Sequence, residues 1–423
     1  VDSNLSSSIT ERAHVEPQDL YLASHGSVFG IGGGAAVINQ LAGAFERRGL
    51  STLRLGIGDN PSESGVGLSS GRLNLAGAVP AAFWRFRNLL MPRRLAAELC
   101  ELPPPRGVFV GLNPLWIVAA KKAWPDTPIV FLFAASLTNC QPFTWGGRKP
   151  SLWQRVDHAA LSRAERRALD TADRVIVPTC QSQQELAEIC PSARNRIVTC
   201  TYGAELRSVD NAAGDVIRRD LGLSSDDLLA LAIGVCNRNK AFDLAVSEMR
   251  STIARTRLAV ICSGPEYCAL EKLIRDSGLG KRVFLRESQP DLAPWYSAAD
   301  CVVSTSCYDT FPYVMLDGMC FGRPVLVPRH DPPHAYSGIA EIVREHGGGV
   351  IYDRTRNGAL AAALNRLTRD LDARRAIGRT ARDVARRLFT WDACIDLILK
   401  ETPGRGDDVR TTPDQAERES LCV

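Results

Sequence analysis

The chain has 423 residues, 45% hydrophobic and 23% charged, with 34 glycines and 24 prolines; this suggests two or three domains with real cores and excludes collagenous, wholly disordered and coiled-coil chains. Lysine and arginine number 51 against 47 aspartates and glutamates, a net +4 that is too small for a nucleic-acid binder. Residues 1–205 hold 21 basic and 17 acidic side chains and the remainder 30 of each, so an anionic partner is expected on the first half.

In chain order, Val1 to Pro17 is polar and Ser-rich and lacks the apolar core of a secretory signal. Leu20–Ala23 reads as a first strand, followed by a glycine-rich turn and a helix from about Ala35 to Arg48. Leu53–Ile57, Gly107–Val110, Ile129–Phe133, Arg174–Val177 and Ile197–Thr201 read as further strands. The longest charge-free run, Ile129 to Gly147, turns polar at Thr138-Asn139-Cys140, short of the ~20 apolar residues of a membrane span. Glu205 to Asp215 reads as a polar hinge without periodicity.

The pattern then restarts. Strands are expected at Leu228–Ile233, Leu258–Ser263, Val283–Leu285, Asp300–Ser304, Pro324–Val327 and Gly349–Ile351. Helices fit between them at Ala241–Arg255, Tyr267–Ser277, Trp295–Ala299, Val314–Phe321 and Asn357–Leu371. Short apolar runs alternating with helical stretches argue for an α/β chain of two doubly wound parallel sheets, which bind ligands at the carboxyl ends of their strands. The tail, 402–423, has a disordered composition. Thirteen cysteines are spread singly, with no Cys-x-x-Cys and no zinc-spaced ladder. No metal site is expected, and reduced thiols in a cytoplasmic protein fit best.

Three stretches carry chemistry. Gly30-Ile-Gly32-Gly33-Gly34-Ala35 follows a strand and opens a helix; it reads either as a phosphate-binding loop or as a tight turn with no ligand. Lys240, with Arg238 two residues earlier, follows the strand ending at Gly234. There the two cations either reach a diphosphate or decorate a solvated loop. The third stretch runs from Ser304 to Val325, with Asp309, the turn Phe311-Pro312-Tyr313, and Asp317 among Met315, Leu316, Met319 and Phe321. An acid on so apolar a helix has a partner or a task.

Together these stretches resemble the retaining two-Rossmann (GT-B) glycosyltransferases of the glycogen-synthase-like superfamily, family 4 type, group 1. Asp309-Thr-Phe-Pro, Asp317-Gly-Met and Gly322-Arg-Pro-Val match the family's acid, turn, second acid and helix stop. Ala172-Asp-Arg-Val-Ile-Val-Pro-Thr179, Tyr202-Gly-Ala-Glu205, Ser263-Gly264-Pro-Glu266, Tyr296-Ser-Ala-Ala-Asp300 and Phe389-Thr-Trp391 follow its other motifs in order. The resemblance implies Rossmann-like domains at 18–205 and 206–388 facing across a cleft, with a last helix at 389–401 packing back on the first.

It further implies that Lys240, aided by Arg238, clamps a nucleotide-sugar diphosphate and that Asp317 binds ribose hydroxyls. Asp309 would lie by the sugar, with Phe311, Pro312, Tyr313 and Gly264 lining the donor. Gly32, Gly33, Gly34 and His25 would face phosphate or acceptor. No cofactor or metal is implied, and the acceptor would be a saccharide or a lipid-linked one, in cell-surface polysaccharide or lipopolysaccharide assembly. Departures are Asp for Glu at both acids and Val235 where the family has Arg. The stretch Phe131 to Ser136 offers no His after its strand; His158, His330 and His334 are candidates without a motif. The two Asp replacements and Val235 keep open a catalytically weak sugar-nucleotide-binding scaffold; a nucleotide-sugar epimerase on the same fold, the other alternative, would need acid/base residues around the sugar that the motif does not display. The aromatic- and Arg-rich stretch 82–94 reads either as a peripheral membrane contact or as a helix packed inside with its arginines outside.

Overall fold

A computed structural model describes residues 16–24, 33–57, 72–75, 87–145 and 149–401, and these fall into two compact units. The first draws on the described residues of 1–138, 149–203 and 391–423, the second on 139–148 and 204–390.

The first unit is built on strands β1 (Leu20–Ala23), β2 (Thr52–Ile57), β3 (Arg72–Leu75), β4 (Val108–Gly111), β5 (Ile129–Leu132), β6 (Arg174–Val177) and β7 (Ile197–Thr199). They form one parallel sheet in the order β3-β2-β1-β4-β5-β6-β7. The central strands, Leu-Tyr-Leu-Ala, Val-Phe-Val-Gly and Ile-Val-Phe-Leu, are buried throughout, as a sheet covered on both faces requires. The sequence pattern does not anticipate β3, whose Arg-Leu-Asn-Leu is too polar and short to stand out.

Its helices are α1 (Gly33–Arg47), α2 (Arg87–Leu99), α3 (Pro114–Ala123), α4 (Leu137–Thr144, passing into the second unit at Asn139), α5 (Leu152–Thr171) and α6 (Cys180–Ile189). A Ser151–Gln154 capping box starts α5, satisfying donors the first turn leaves open. The helix buries Leu161, Ala164, Ala168 and Leu169, an inward stripe at helical spacing. From the same helix the buried Glu165 accepts from Ser136 Oγ and from the Leu137 backbone N–H, both at 3.0 Å. The last of the described helices, Asp392–Leu399, is tied to Arg48 through Asp392 and Asp396 at 2.7 and 2.5 Å. Ahead of it Trp391 stacks on Tyr202, lying over Gly203, where a Cβ would come within 2.3 Å of the indole.

From Ala204 the second unit continues into α7 (Asn211–Asp220). The expected irregular hinge is thus helical in its second part. Asp210 caps it by accepting from the Ala213 N–H at 3.1 Å, and Gly214 lets it close on the Ser297 backbone. Strands β8 (Leu228–Val235), β9 (Thr256–Ser263), β10 (Val283–Arg286) and β11 (Cys301–Val303) follow. After a short β12 (Tyr308–Asp309) come β13 (Val325–Pro328), β14 (Tyr336–Ser337) and β15 (Gly349–Tyr352). The parallel sheet runs β10-β9-β8-β11-β13-β15, and β12 pairs separately with β14.

Helices α8 (Phe242–Glu248), α9 (Tyr267–Asp276), α10 (Ala293–Ala298), α11 (Tyr313–Cys320), α12 (Ile339–His346), α13 (Ala359–Arg369) and α14 (Leu371–Leu388) complete this unit. The apolar faces of α8, α9 and α13 close a core with Leu228, Ala230, Val260 and Leu326. From β8 the chain steps to β9 and β10 on one side and returns to β11 on the other. The loops leaving β8 and β11 therefore flank the topological switch point, where such sheets open a crevice. Among the described residues eleven cysteines are free thiols, whereas Cys180 is disulfide-bonded, which departs from the expectation of reduced cysteines throughout.

Candidate active site

At that crevice the loop after β8 carries Lys240. Its stem passes over Gly234 (φ +155°), where a Cβ would sit 3.4 Å from Lys240 Cε. The ammonium Nζ then meets Asp309 Oδ2 at 2.5 Å, both side chains about one quarter to one fifth exposed (25% and 19%). The residues are 69 apart in sequence, and the fold supplies the braces. The Asn239 amide donates to Tyr308 O and accepts from Tyr308 N–H, each at 2.9 Å. The Cys307 N–H donates to Asn239 O at 2.7 Å, and Thr305 Oγ1 to Lys240 O at 2.8 Å. Ala241 holds φ +49°, a left-handed conformation unfavourable for alanine.

Asp309 is also fixed from its other side. In the β12–β14 pair it lies opposite Ser337, and its carbonyl accepts from the Gly338 N–H at 3.1 Å. Tyr308 packs on Tyr336 with ring centroids 5.0 Å apart, and Phe143 packs on both. His330 stands edge-on to Tyr336 and accepts at Nδ1 from the Ser337 N–H at 3.2 Å. Burial pulls its pKa down, so among the motifless histidines this one supports β14.

Helix α11 starts at Tyr313 with Pro312 as its cap and no side-chain cap hydrogen bond, and the positive end of its dipole favours an anion there. Phe311 is buried edge-on against Phe389. One helical turn beyond Tyr313, Asp317 is half-buried beside the buried Met315, Leu316 and Met319. Desolvation pushes its carboxyl up to about 6; Arg207 draws it down and Glu205 adds to the rise. Arg382 brings the 205–207 segment to this helix by donating to Arg207 O at 3.3 Å and Cys320 O at 3.1 Å.

The two expected cations are not side by side. Arg238 Nε pairs with Glu266 Oε1 at 3.2 Å, and Arg238 lines a pocket that neither Lys240 nor Asp309 touches. Gly264, at φ +151°, brings the β9 loop against the β8 loop: a Cβ there would lie 2.7 Å from Cys236 O. Asn239, which organises these loops, carries no motif of its own; Glu266 closes the Ser263–Glu266 motif, whose resemblance gave it no task. Gly33 and Gly34 open α1, while Gly32 and His25 lie outside the described residues. So do residues 82–86. The rest of that stretch enters α2, which buries Met91, Leu95 and Leu99 and exposes Arg93 and Arg94, in the packed-helix arrangement. Among the described residues no helix is long and apolar enough to cross a membrane.

Residues 228–370 match the model of the family described as glycosyl transferases group 1, and residues 32–203 that of the glycosyl transferase 4-like domain. The chain belongs to the group 1 glycosyltransferases. Curated relatives include D-inositol 3-phosphate glycosyltransferases from Thermomonospora curvata and Thermobispora bispora. The first is 29% identical over 57% of this chain and 59% of that protein, the second 30% over 54% and 55%. The match thus spans little more than half the length of these relatives.

Solved structures of the same two-Rossmann GT-B fold include a sucrose-phosphate synthase from Thermosynechococcus elongatus (TM-score 0.73, 20% identity, 95% of this chain and 98% of that one). The lipopolysaccharide glycosyltransferase WaaG gives TM-score 0.70 at 17% identity, over 90% and 99%. Anabaena HepE, in complex with UDP-glucose, gives 0.68 at 15%, over 96% and 100%. In this glycosyltransferase, then, Lys240 and Asp309 occupy the crevice of the group 1 domain.

Proposed function

We propose that this glycosyltransferase transfers a sugar from a nucleotide-sugar to a saccharide or lipid-linked saccharide, retaining anomeric configuration, in cell-surface polysaccharide assembly. The observation that carries the reading is the Lys240–Asp309 pair at the switch point, on the loop that leads into α11. A nucleoside diphosphate departs readily when a preorganised cation and helix N–H groups meet its charge. Lys240 supplies the cation in this reading, so no metal is assigned. Asp309, held by β14, is placed to orient sugar hydroxyls once the diphosphate draws Lys240 toward itself. Asp317 is assigned the ribose hydroxyls. Same-face departure and attack through an oxocarbenium-like state accounts for retention without a covalent intermediate. UDP-glucose bound to HepE supports a UDP-sugar as the first donor to try.

The test is release of nucleotide from UDP-, GDP- and ADP-sugars, with acceptor saccharides supplied, by wild type and Asp309→Asn. Turnover that the substitution abolishes supports the assignment and identifies the donor. Absence of both turnover and donor binding across the panel overturns it; binding without turnover favours a scaffold. We place the reaction in the cytoplasm, where nucleotide-sugars would be supplied.

A further inference from the structure

The pocket beyond Arg238 has a chemistry of its own. It encloses about 590 Å³ between the start of α8, helix α9 and the Pro142–Phe143 segment, a volume within the ~300–1,000 Å³ of small-molecule sites. Its polar wall is Asn237, Arg238, Asp243 and Glu266; its apolar wall includes Phe143 and Leu270. Arg238 and Glu266 neutralise each other at 3.2 Å, which leaves Asp243 as the excess charge. An anion such as a nucleoside diphosphate is therefore repelled from this pocket. Nor is it built for a metal, because one of its two carboxylates is already engaged and divalent ions take several.

What remains is a neutral ligand with hydroxyls on its edge and C–H groups on its face. Carboxylates, an amide and a guanidinium each present paired acceptors or donors in a plane, matching the adjacent hydroxyls of a pyranose. An aromatic ring and aliphatic side chains cover the C–H face. We infer that this pocket is a saccharide subsite, separate from the Lys240–Asp309 crevice, gripping a pyranose through Asp243 and the Arg238–Glu266 pair against Phe143. This deepens the glycosyltransferase reading, in which the bound sugar is a unit of the acceptor, yet its binding requires no nucleotide.

The test is saturation-transfer NMR on the full chain with methyl α-glucoside, methyl α-mannoside, methyl α-galactoside and N-acetylglucosamine, without nucleotide and with excess UDP. Transfer to at least one saccharide is expected, unchanged by UDP and reduced at least fivefold in Asp243→Ala and in Glu266→Gln. The conservative Asp243→Glu should retain part of it, and circular dichroism of each variant reports its folding. Transfer from none of the four, or transfer abolished by UDP and indifferent to both substitutions, overturns the subsite. UDP affinity measured separately by calorimetry reports on the donor reading, so the two can fail independently.

Discussion

Asp309 and Asp317 are the same residue type eight positions apart, yet the fold gives them opposite electrostatics. Asp309 stands against the ammonium of Lys240 at 2.5 Å, in a loop fastened by Asn239 and β14. Asp317 sits on an apolar helix where desolvation dominates and lifts its carboxyl to about 6. Low-dielectric surroundings disfavour the charged form of a carboxyl, which is what acts on Asp317. One acid is thus built into a salt bridge that substrate must reorganise, and the other into a group that titrates near neutral pH.

The sharpest way to break the contrast is to remove the cation. Lys240→Ala should cost ~2–4 kcal/mol of transition-state stabilisation, in line with losing one preorganised electrostatic group, read as kcat/KM with the best donor. Turnover close to wild type would show that the leaving diphosphate is neutralised elsewhere. Lys240→Arg keeps the charge but not the path over Gly234, and should recover only part of the loss.

A second prediction concerns the loop packing on which the pair depends. Gly264→Ala puts a methyl 2.7 Å from the Cys236 carbonyl at φ +151°, a conformation that disfavours any side chain and a contact with backbone that cannot swing away. About 1–3 kcal/mol of stability should be lost, visible as a lower urea midpoint at unchanged m-value. Wild-type stability in this variant would mean that the β8 and β9 loops do not hold each other in register.

Much of this arrangement was legible beforehand. Buried parallel strands declare themselves as short apolar runs, and Leu228–Ile233 or Leu258–Ser263 need no partner to be recognised. Helix α5 escaped because its inward face mixes two small alanines, Ala164 and Ala168, and an acid, Glu165, with only two leucines, inside a strongly charged stretch. In the site, the spacing of Asp309 and Asp317 was readable because both lie in one strand–loop–helix unit. The union of Lys240 with Asp309 was not, since it joins two βα units across the switch point. The separation of Arg238 from Lys240 was equally hidden: it depends on Glu266, contributed by a third loop.

Asp317 allows a test in which two readouts move in opposite directions. Its carboxyl titrates at about 6 in the folded chain against an ordinary 3.8, so the folded state holds the proton more tightly. Stability from this group is present below the ordinary value and declines as pH rises through about 6. Asp317→Asn should therefore raise the urea midpoint at pH 7.5 and leave it nearly unchanged at pH 4. If the carboxylate accepts ribose hydroxyls, affinity for an intact nucleotide-sugar should instead rise through the same window and level off above it. The intact sugar diphosphate is the right probe because, unlike free UDP, it has no phosphate proton of its own to titrate near neutrality. In Asp317→Asn that rise should flatten. An affinity independent of pH in wild type would remove Asp317 from the donor site while leaving the stability argument intact.

The smallest effect expected comes from Arg207, whose side chain is 48% exposed and acts on Asp317 through space. Solvent screens such a charge, so Arg207→Ala should shift the Asp317 midpoint upward by only a fraction of a pH unit, followed by NMR of the carboxyl carbon. The direction is the informative part. Removing Glu205, which pushes the same carboxyl up, should shift it downward, and the double substitution should fall between the two. Shifts of one sign for both single variants would mean that the 205–207 segment acts by changing the burial of Asp317 rather than by its charges. The helix, and not its charged neighbours, would then set where this acid titrates.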